Sequence, residues 1–218
     1  SVEGSDDEDH FGIYRIDVQT GDVVPILQVE PGIKIYSHRW SNDGKSIIYT
    51  LDDGATKKGT RLLVYNLETD QDKQLQGAPT DAKDIDISPD GRWLAMINRE
   101  EKRVIRIMPT TGGEPREIYT WEEREHVIVS PAWTADGRHI LFSRSQPDPS
   151  SDQWDLWRIP QEGGEPQKLD LAMVGFRHYS VHPDGKSIAF SSRGSKMQWQ
   201  EIWVMENFLP EKNQKTSK

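Results

Sequence analysis

The sequence predicts an all-β fold, a β-propeller of four-stranded antiparallel blades. Three observations predict it: a repeated Asp-Gly hairpin, a spacing between copies in the range of propeller blades, and a repeated third strand followed by a second turn. Trp40 to Tyr49 (WSNDGKSIIY), Ile87 to Met96 (ISPDGRWLAM), Trp133 to Phe142 (WTADGRHILF) and Val181 to Phe190 (VHPDGKSIAF) align without a gap. Their aspartates fall at 43, 90, 136 and 184, a period of roughly 46 to 48 residues.

Each copy has a local physical reading. An apolar residue (Trp40, Ile87, Trp133, Val181) ends one strand, Asp-Gly makes a tight turn, a cation follows, and an apolar run forms the second strand. The glycine supplies the positive φ of a short hairpin loop, and Pro89 and Pro183 preset the first turn residue where they occur. A third strand comes next at 62–67, 104–108, 156–159 and 202–205. A short fourth strand follows, twice after Gly-Gly-Glu-Pro (Gly112 to Pro115, Gly163 to Pro166), where proline suits a sheet edge. The copy at Glu68 to Gln71 has no glycine and calls for a different turn.

One such unit cannot bury both of its faces, so copies must stack, and four-stranded sheets stacked radially give a propeller. Residues 13–18 and 23–27, joined through Gly21, match strands three and four of a blade whose hairpin would precede Ser1. At the other end, 178–205 supply strands one to three of another. The expectation is therefore three complete blades and two partial ones, the C-terminal part of a six- or seven-bladed propeller. A closed four-bladed ring, with 22–27 as the outer strand of the last blade, is the alternative and leaves 12–18 unexplained. The division expected is an acidic flexible segment at 1–10, the propeller at 11–210 and a disordered polar tail at 211–218.

Composition limits function. The chain has 218 residues and a formal net charge of −9, with no dense Lys/Arg block, which argues against a nucleic-acid partner. No apolar run reaches the length of a membrane span, and the absence of cysteine rules out disulfides and cysteine-held zinc.

The hairpins, with Ser88 to Arg92 (SPDGR) closest to the ideal, and the closing Ile202 to Pro210 resemble the WD-like repeat of the TolB-like bacterial β-propellers. The resemblance covers roughly residues 11–210. It implies a periplasmic or secreted protein whose funnel mouth or rim binds a protein, a peptide or a carbohydrate. The same repeat occurs in the propeller part of prolyl-oligopeptidase-like peptidases and in oligogalacturonate lyases, so an enzyme is the alternative reading.

The residues themselves offer no catalytic set, metal site or cofactor site. There is no Gly-x-Ser-x-Gly and no His-Glu-x-x-His, and the 54–60 loop lacks the lysine of a phosphate-binding loop. His178 and His182 on one strand would lie about 13 Å apart, too far for one ion. His182 occupies the turn position of Ser41, Ser88 and Thr134. Binding candidates follow instead from position along the blade, because first strands line a propeller's channel. His38, Ile85, Pro131 and Tyr179 form one row, and Ser37, Asp84, Ser130 and His178 form the next towards the mouth, varying between blades as recognition requires. Trp121, Trp154 and Trp199 fall in or beside loops of the same face, and a loop tryptophan is a candidate anchor. The predicted binding set is Ser37, His38, Asp84, Trp121, Ser130, Arg177, His178 and Trp199.

Overall fold

The structure is a computed structural model. It describes residues 2–5, 11–52, 54, 59–98, 103–121, 128–146, 148, 151–174, 176–193 and 200–206. Eighteen strands make five antiparallel sheets. The first sheet holds β1 (Val2–Ser5), β2 (Phe11–Ile16) and β3 (Val23–Val29). The second holds β4 (Lys34–Trp40), β5 (Ser46–Asp52), β6 (Arg61–Asn66) and β7 (Gln71–Gln74). The third holds β8 (Ala82–Ile87), β9 (Trp93–Asn98), β10 (Arg103–Pro109) and β11 (Arg116–Trp121). The fourth holds β12 (Ile128–Trp133), β13 (His139–Ser145), β14 (Gln153–Pro160) and β15 (Gln167–Val174), and the fifth β16 (Arg177–Val181), β17 (Ser187–Arg193) and β18 (Gln200–Glu206). Three four-stranded blades are thus flanked by two three-stranded sheets, as the repeat predicts. Strand β1 lies in the acidic segment, for which the sequence predicts no element. It pairs with β2 from Val2↔Tyr14 to Ser5↔Phe11. The polar tail lies outside the described residues.

The Asp-Gly turns share one hydrogen-bond pattern. Ser41, Ser88 and Thr134 each donate a side-chain hydroxyl to the turn aspartate at 2.6 Å. Each hydroxyl also accepts an amide from the start of the second strand, Ser46 N at 2.9 Å, Trp93 N at 2.9 Å and His139 N at 3.1 Å. His182 holds the same place, its Nδ1 2.9 Å from Asp184 Oδ1, so its role is that of a turn residue. The aspartate oxygen meanwhile accepts the amide of the cation after glycine, for example Lys45 N at 3.0 Å. These donors hold the carboxylates of Asp43, Asp90 and Asp184 below the usual range; Asp90, bonded by Ser88, Arg92 N and the Arg92 guanidinium, falls to about 2.

The turn without glycine solves its geometry differently. Asp70 takes φ 56°, the conformation that Gly21 takes at 79° in the corresponding turn of the first sheet. Asn66 Oδ1 accepts the amides of Glu68 at 2.8 Å and Thr69 at 3.0 Å, as Asp17 Oδ1 does for Gln19 and Thr20. Asn and Asp are the residues that tolerate such turns. At Gly77 a side chain is excluded, since a Cβ there would sit 2.2 Å from the Gly113 carbonyl of the next blade.

Packing runs between blades and along the arc. Ile48 and Leu62 of the second sheet meet Leu94, Met96 and Met108 of the third. On the third sheet's other face, Ala95, Ile97, Ile105 and Ile107 meet Trp133, Ile140, Phe142 and Ile159 of the fourth. Leu141 and Leu156 then pack on Phe176, which directly precedes β16, and on Tyr179, Ile188 and Phe190 of the fifth. Neighbouring residues on one strand therefore bury towards opposite blades. This is why the second strands read as continuous apolar runs where a half-exposed strand would alternate.

Candidate functional site

The first strands β4, β8, β12 and β16 stand next to one another and line a cavity of about 1070 Å³. Each carries one extra residue relative to its partner strand, with pairing that slips between Ile35 and Ser37, Ala82 and Asp84, Val129 and Ala132, and Arg177 and Ser180. A bulge bends its strand and re-aims the side chains around it. Four bulges at one level bring Ser37, Asp84, Ser130 and His178 to the cavity wall, together with His38, Pro131 and Tyr179. Ile85, from the same predicted row as His38, is fully buried between blades and does not join them.

The four bulges differ in conformation. Ser130 and His178 adopt positive φ, 59° and 49°, whereas Ser37 and Asp84 do not. A non-glycine residue in this region carries a backbone cost of about 1 to 2 kcal/mol. In the fifth sheet His178 Nδ1 lies 3.3 Å from Ser191 Oγ.

A second level of the wall holds Arg39, Asp86, Ala132 and Ser180, each five residues before its turn glycine. Arg39 Nε donates to Asp86 Oδ1 at 2.8 Å, Trp133 N donates to Asp86 Oδ2 at 2.8 Å, and Trp133 Nε1 donates to the Asp86 carbonyl at 3.2 Å. Asp86 thus joins three adjacent first strands. Burial pushes its carboxyl above the usual range, against the opposing pull of Arg39 and of the Trp133 and Ile87 amides. Burial likewise drives the Tyr179 phenol well above its ordinary value, which keeps it neutral. Above this level Lys83 Nζ lies 5.0 Å from the centre of the Tyr36 ring, whose hydroxyl donates to Asp52 at 3.0 Å. Arg39 and Asp86 were absent from the predicted set. A signal existed, because opposite charges fill one repeat position in consecutive blades.

Two predicted anchors have a different place. Trp121, expected as a loop anchor, closes β11 at 8% exposure inside the core between the third and fourth sheets. Its ring takes the Arg144 guanidinium at 3.7 Å and meets Trp157 edge-on at 6.0 Å. The Arg144 cation and two neighbouring aromatics, Trp157 and Tyr119, hold it within the blades. Trp154 is likewise buried, in β14. Trp199 and the side chain of Arg177 lie outside the described residues. Among the described residues no three His, Asp or Glu side chains are grouped to hold a metal, and no helix is long and apolar enough to cross a membrane.

Five three- or four-stranded antiparallel sheets in series, four of them sharing one axis-facing wall, define a β-propeller. TolB-like propellers are among the solved structures of similar fold. The chain resembles a TolB-type protein from Agrobacterium tumefaciens with TM-score 0.65 and 21% identity, covering 89% of this chain and 67% of that one. It resembles TolB from Acinetobacter baumannii with TM-score 0.68 and 18% identity, covering 90% of this chain and 46% of that one. The β-propeller domain of the trilobed protease from Pyrococcus furiosus, described as having an open velcro topology, matches with TM-score 0.56 and 19% identity over 94% of this chain and 64% of that one. Enzymes share the fold too, including an oligogalacturonate lyase in complex with manganese at TM-score 0.50 and an acylaminoacyl peptidase at 0.53. At these identities the likeness is one of fold. No protein-family model matches the sequence, and no curated protein matches it.

Proposed function

We propose that this propeller is a binding module that receives a protein or peptide segment in the cavity walled by β4, β8, β12 and β16. One observation carries the reading. Positions that build the hairpins and pack the blades keep their residue type, as the turn Ser/Thr of three copies and the apolar pairs do. The wall positions change from blade to blade: Ser37, Asp84, Ser130 and His178 at one level, and Arg39, Asp86, Ala132 and Ser180 at the other. A wall needed only for packing would have no reason to vary, whereas recognition needs distinct groups at distinct places. The volume and its mixture of apolar surface with a few convergent polar groups suit such a ligand.

The set proposed to meet the partner is Ser37, His38, Asp84, Ser130 and His178, with Arg177 and Trp199 as further candidates from the sequence. The likeness to TolB proteins supports a periplasmic or secreted location; an enzyme built on the same propeller is the alternative reading, and a carbohydrate is the alternative partner for the same cavity.

The test is to fill the cavity. Ser180→Trp places a large side chain on the exposed part of the wall, and Val24→Trp places the same bulk on the outer sheet. Partner capture from a periplasmic extract, read against the thermal midpoint of each variant, should be lost in the first and kept in the second. Equal capture by both variants would overturn the reading.

A further inference from the structure

We infer that Arg39 is a carboxylate receptor inside the cavity, and that the segment received there presents an acidic side chain or a chain-terminal carboxylate to it. The inference rests on the reading above that the cavity takes a peptide, and it names the chemical group that the peptide must offer.

Arg39 is held on two sides. Its Nε donates to Asp86 Oδ1 at 2.8 Å, and its Nη1 donates to the His38 carbonyl at 2.8 Å. Asp86 is itself fixed by the Trp133 amide, so the guanidinium plane is set by groups from β4, β8 and β12 together. The side chain remains 39% exposed and lines the cavity. Among the described residues its Nη2 group makes no protein hydrogen bond. A planar fork with its orientation already fixed and an uncommitted edge towards a cavity needs little further ordering to bind a planar anion.

The surroundings select which anion. Asp84 and Asp86 share the wall, and the chain carries a net charge of −9. A multiply charged group such as a phosphate would meet those carboxylates at close range. A single carboxylate pairs with the free edge of one guanidinium and asks no more of the site. Ser130 and Ser180 line the same cavity and offer hydroxyl groups as further donors. No other repeat copy offers an equivalent, since the same position is Asp, Ala and Ser in the three later blades. Among the four first strands of the wall the receptor is therefore unique, and it fixes the register of a bound segment.

The experiment follows the Arg39 Nε–Hε signal by NMR in the intact chain during titration with acetyl-Gly-Asp-Gly amide and, separately, its asparagine twin. A saturable shift with the aspartate peptide alone is expected, together with at least tenfold weaker binding to an Arg39→Gln variant whose amide spectrum shows it folded. If Arg39→Gln does not fold, the wild-type Arg39 signal decides alone. Equal shifts of the Ser130 and His178 amides with both peptides, and a silent Arg39, would overturn the receptor while leaving peptide binding intact. Silence of every cavity signal with both peptides would overturn the receptor and count against the peptide reading as well.

Discussion

Arg39 and Asp86 occupy the same repeat position one blade apart and meet at 2.8 Å, so the repeat itself places opposite charges in register. The pair shows how an axis-facing wall can acquire polar groups without disturbing the blades, whose packing faces lie to either side.

Because burial raises the Asp86 carboxyl while Arg39 opposes the rise, Asp86 should titrate above the ordinary carboxylate range. Arg39→Met should push it higher. Carboxyl carbon chemical shifts across a pH series report both. The sign for stability follows: a folded-state value above the unfolded one favours the fold at low pH, and this contribution is lost as pH rises through the folded value. Ordinary or lowered titration of Asp86 would contradict the burial assigned to it.

The turn aspartates have the opposite sign. Asp43, Asp90 and Asp184 are lowered by their hydrogen-bond donors, Asp90 to about 2. Their contribution is present above the unfolded value, 3.8, and is lost as pH falls through each folded value, about 2 for Asp90. Ser88→Ala should raise the Asp90 titration and cost about 1 kcal/mol at neutral pH, because Trp93 N also loses its acceptor. Urea denaturation at pH 7 and pH 3 should show a smaller penalty at the lower pH.

Ser130→Gly and His178→Gly should leave stability unchanged or raise it by up to about 1 kcal/mol, since glycine relieves the positive φ but loosens the unfolded chain. The same change at Ser37, where φ is not positive, should destabilise by roughly 0.5 to 1 kcal/mol. Loss of partner capture alongside unchanged stability at Ser130 or His178 would mark these bulges as kept for recognition.

Trp121→Ala should cost about 3 to 5 kcal/mol in denaturant unfolding, the range for removing a large aromatic from a packed core. A cost below about 1 kcal/mol with lost capture would restore Trp121 as a surface anchor.

The blades were legible because each is written in consecutive residues: an apolar strand end, Asp-Gly, a cation and an apolar run. What escaped depends on relations between distant residues or on backbone adjustments. Val2–Ser5 has no apolar run to announce a strand and pairs only because β2 offers an edge. Asp70 takes a glycine's conformation, which its identity permits but does not require. The mouth row of Ser37, Asp84, Ser130 and His178 was found by aligning repeats, yet the bulges that aim it leave no residue signature. Trp121 looked like a loop residue because the strand it closes is short of other apolar residues, and its burial is completed by Arg144 and Trp157 from the next blade. Fold follows from local repetition here, whereas the site follows from differences between copies.

Site-specific photo-crosslinking tests the central claim most directly. A benzophenone side chain is placed in turn at His178 and Ser180 on the cavity wall and at Val18 and Val204, which are 96% and 68% exposed outside it. The account predicts one partner captured from His178 and Ser180 and none from Val18 or Val204. Capture from the outer positions with silence from the cavity would contradict it.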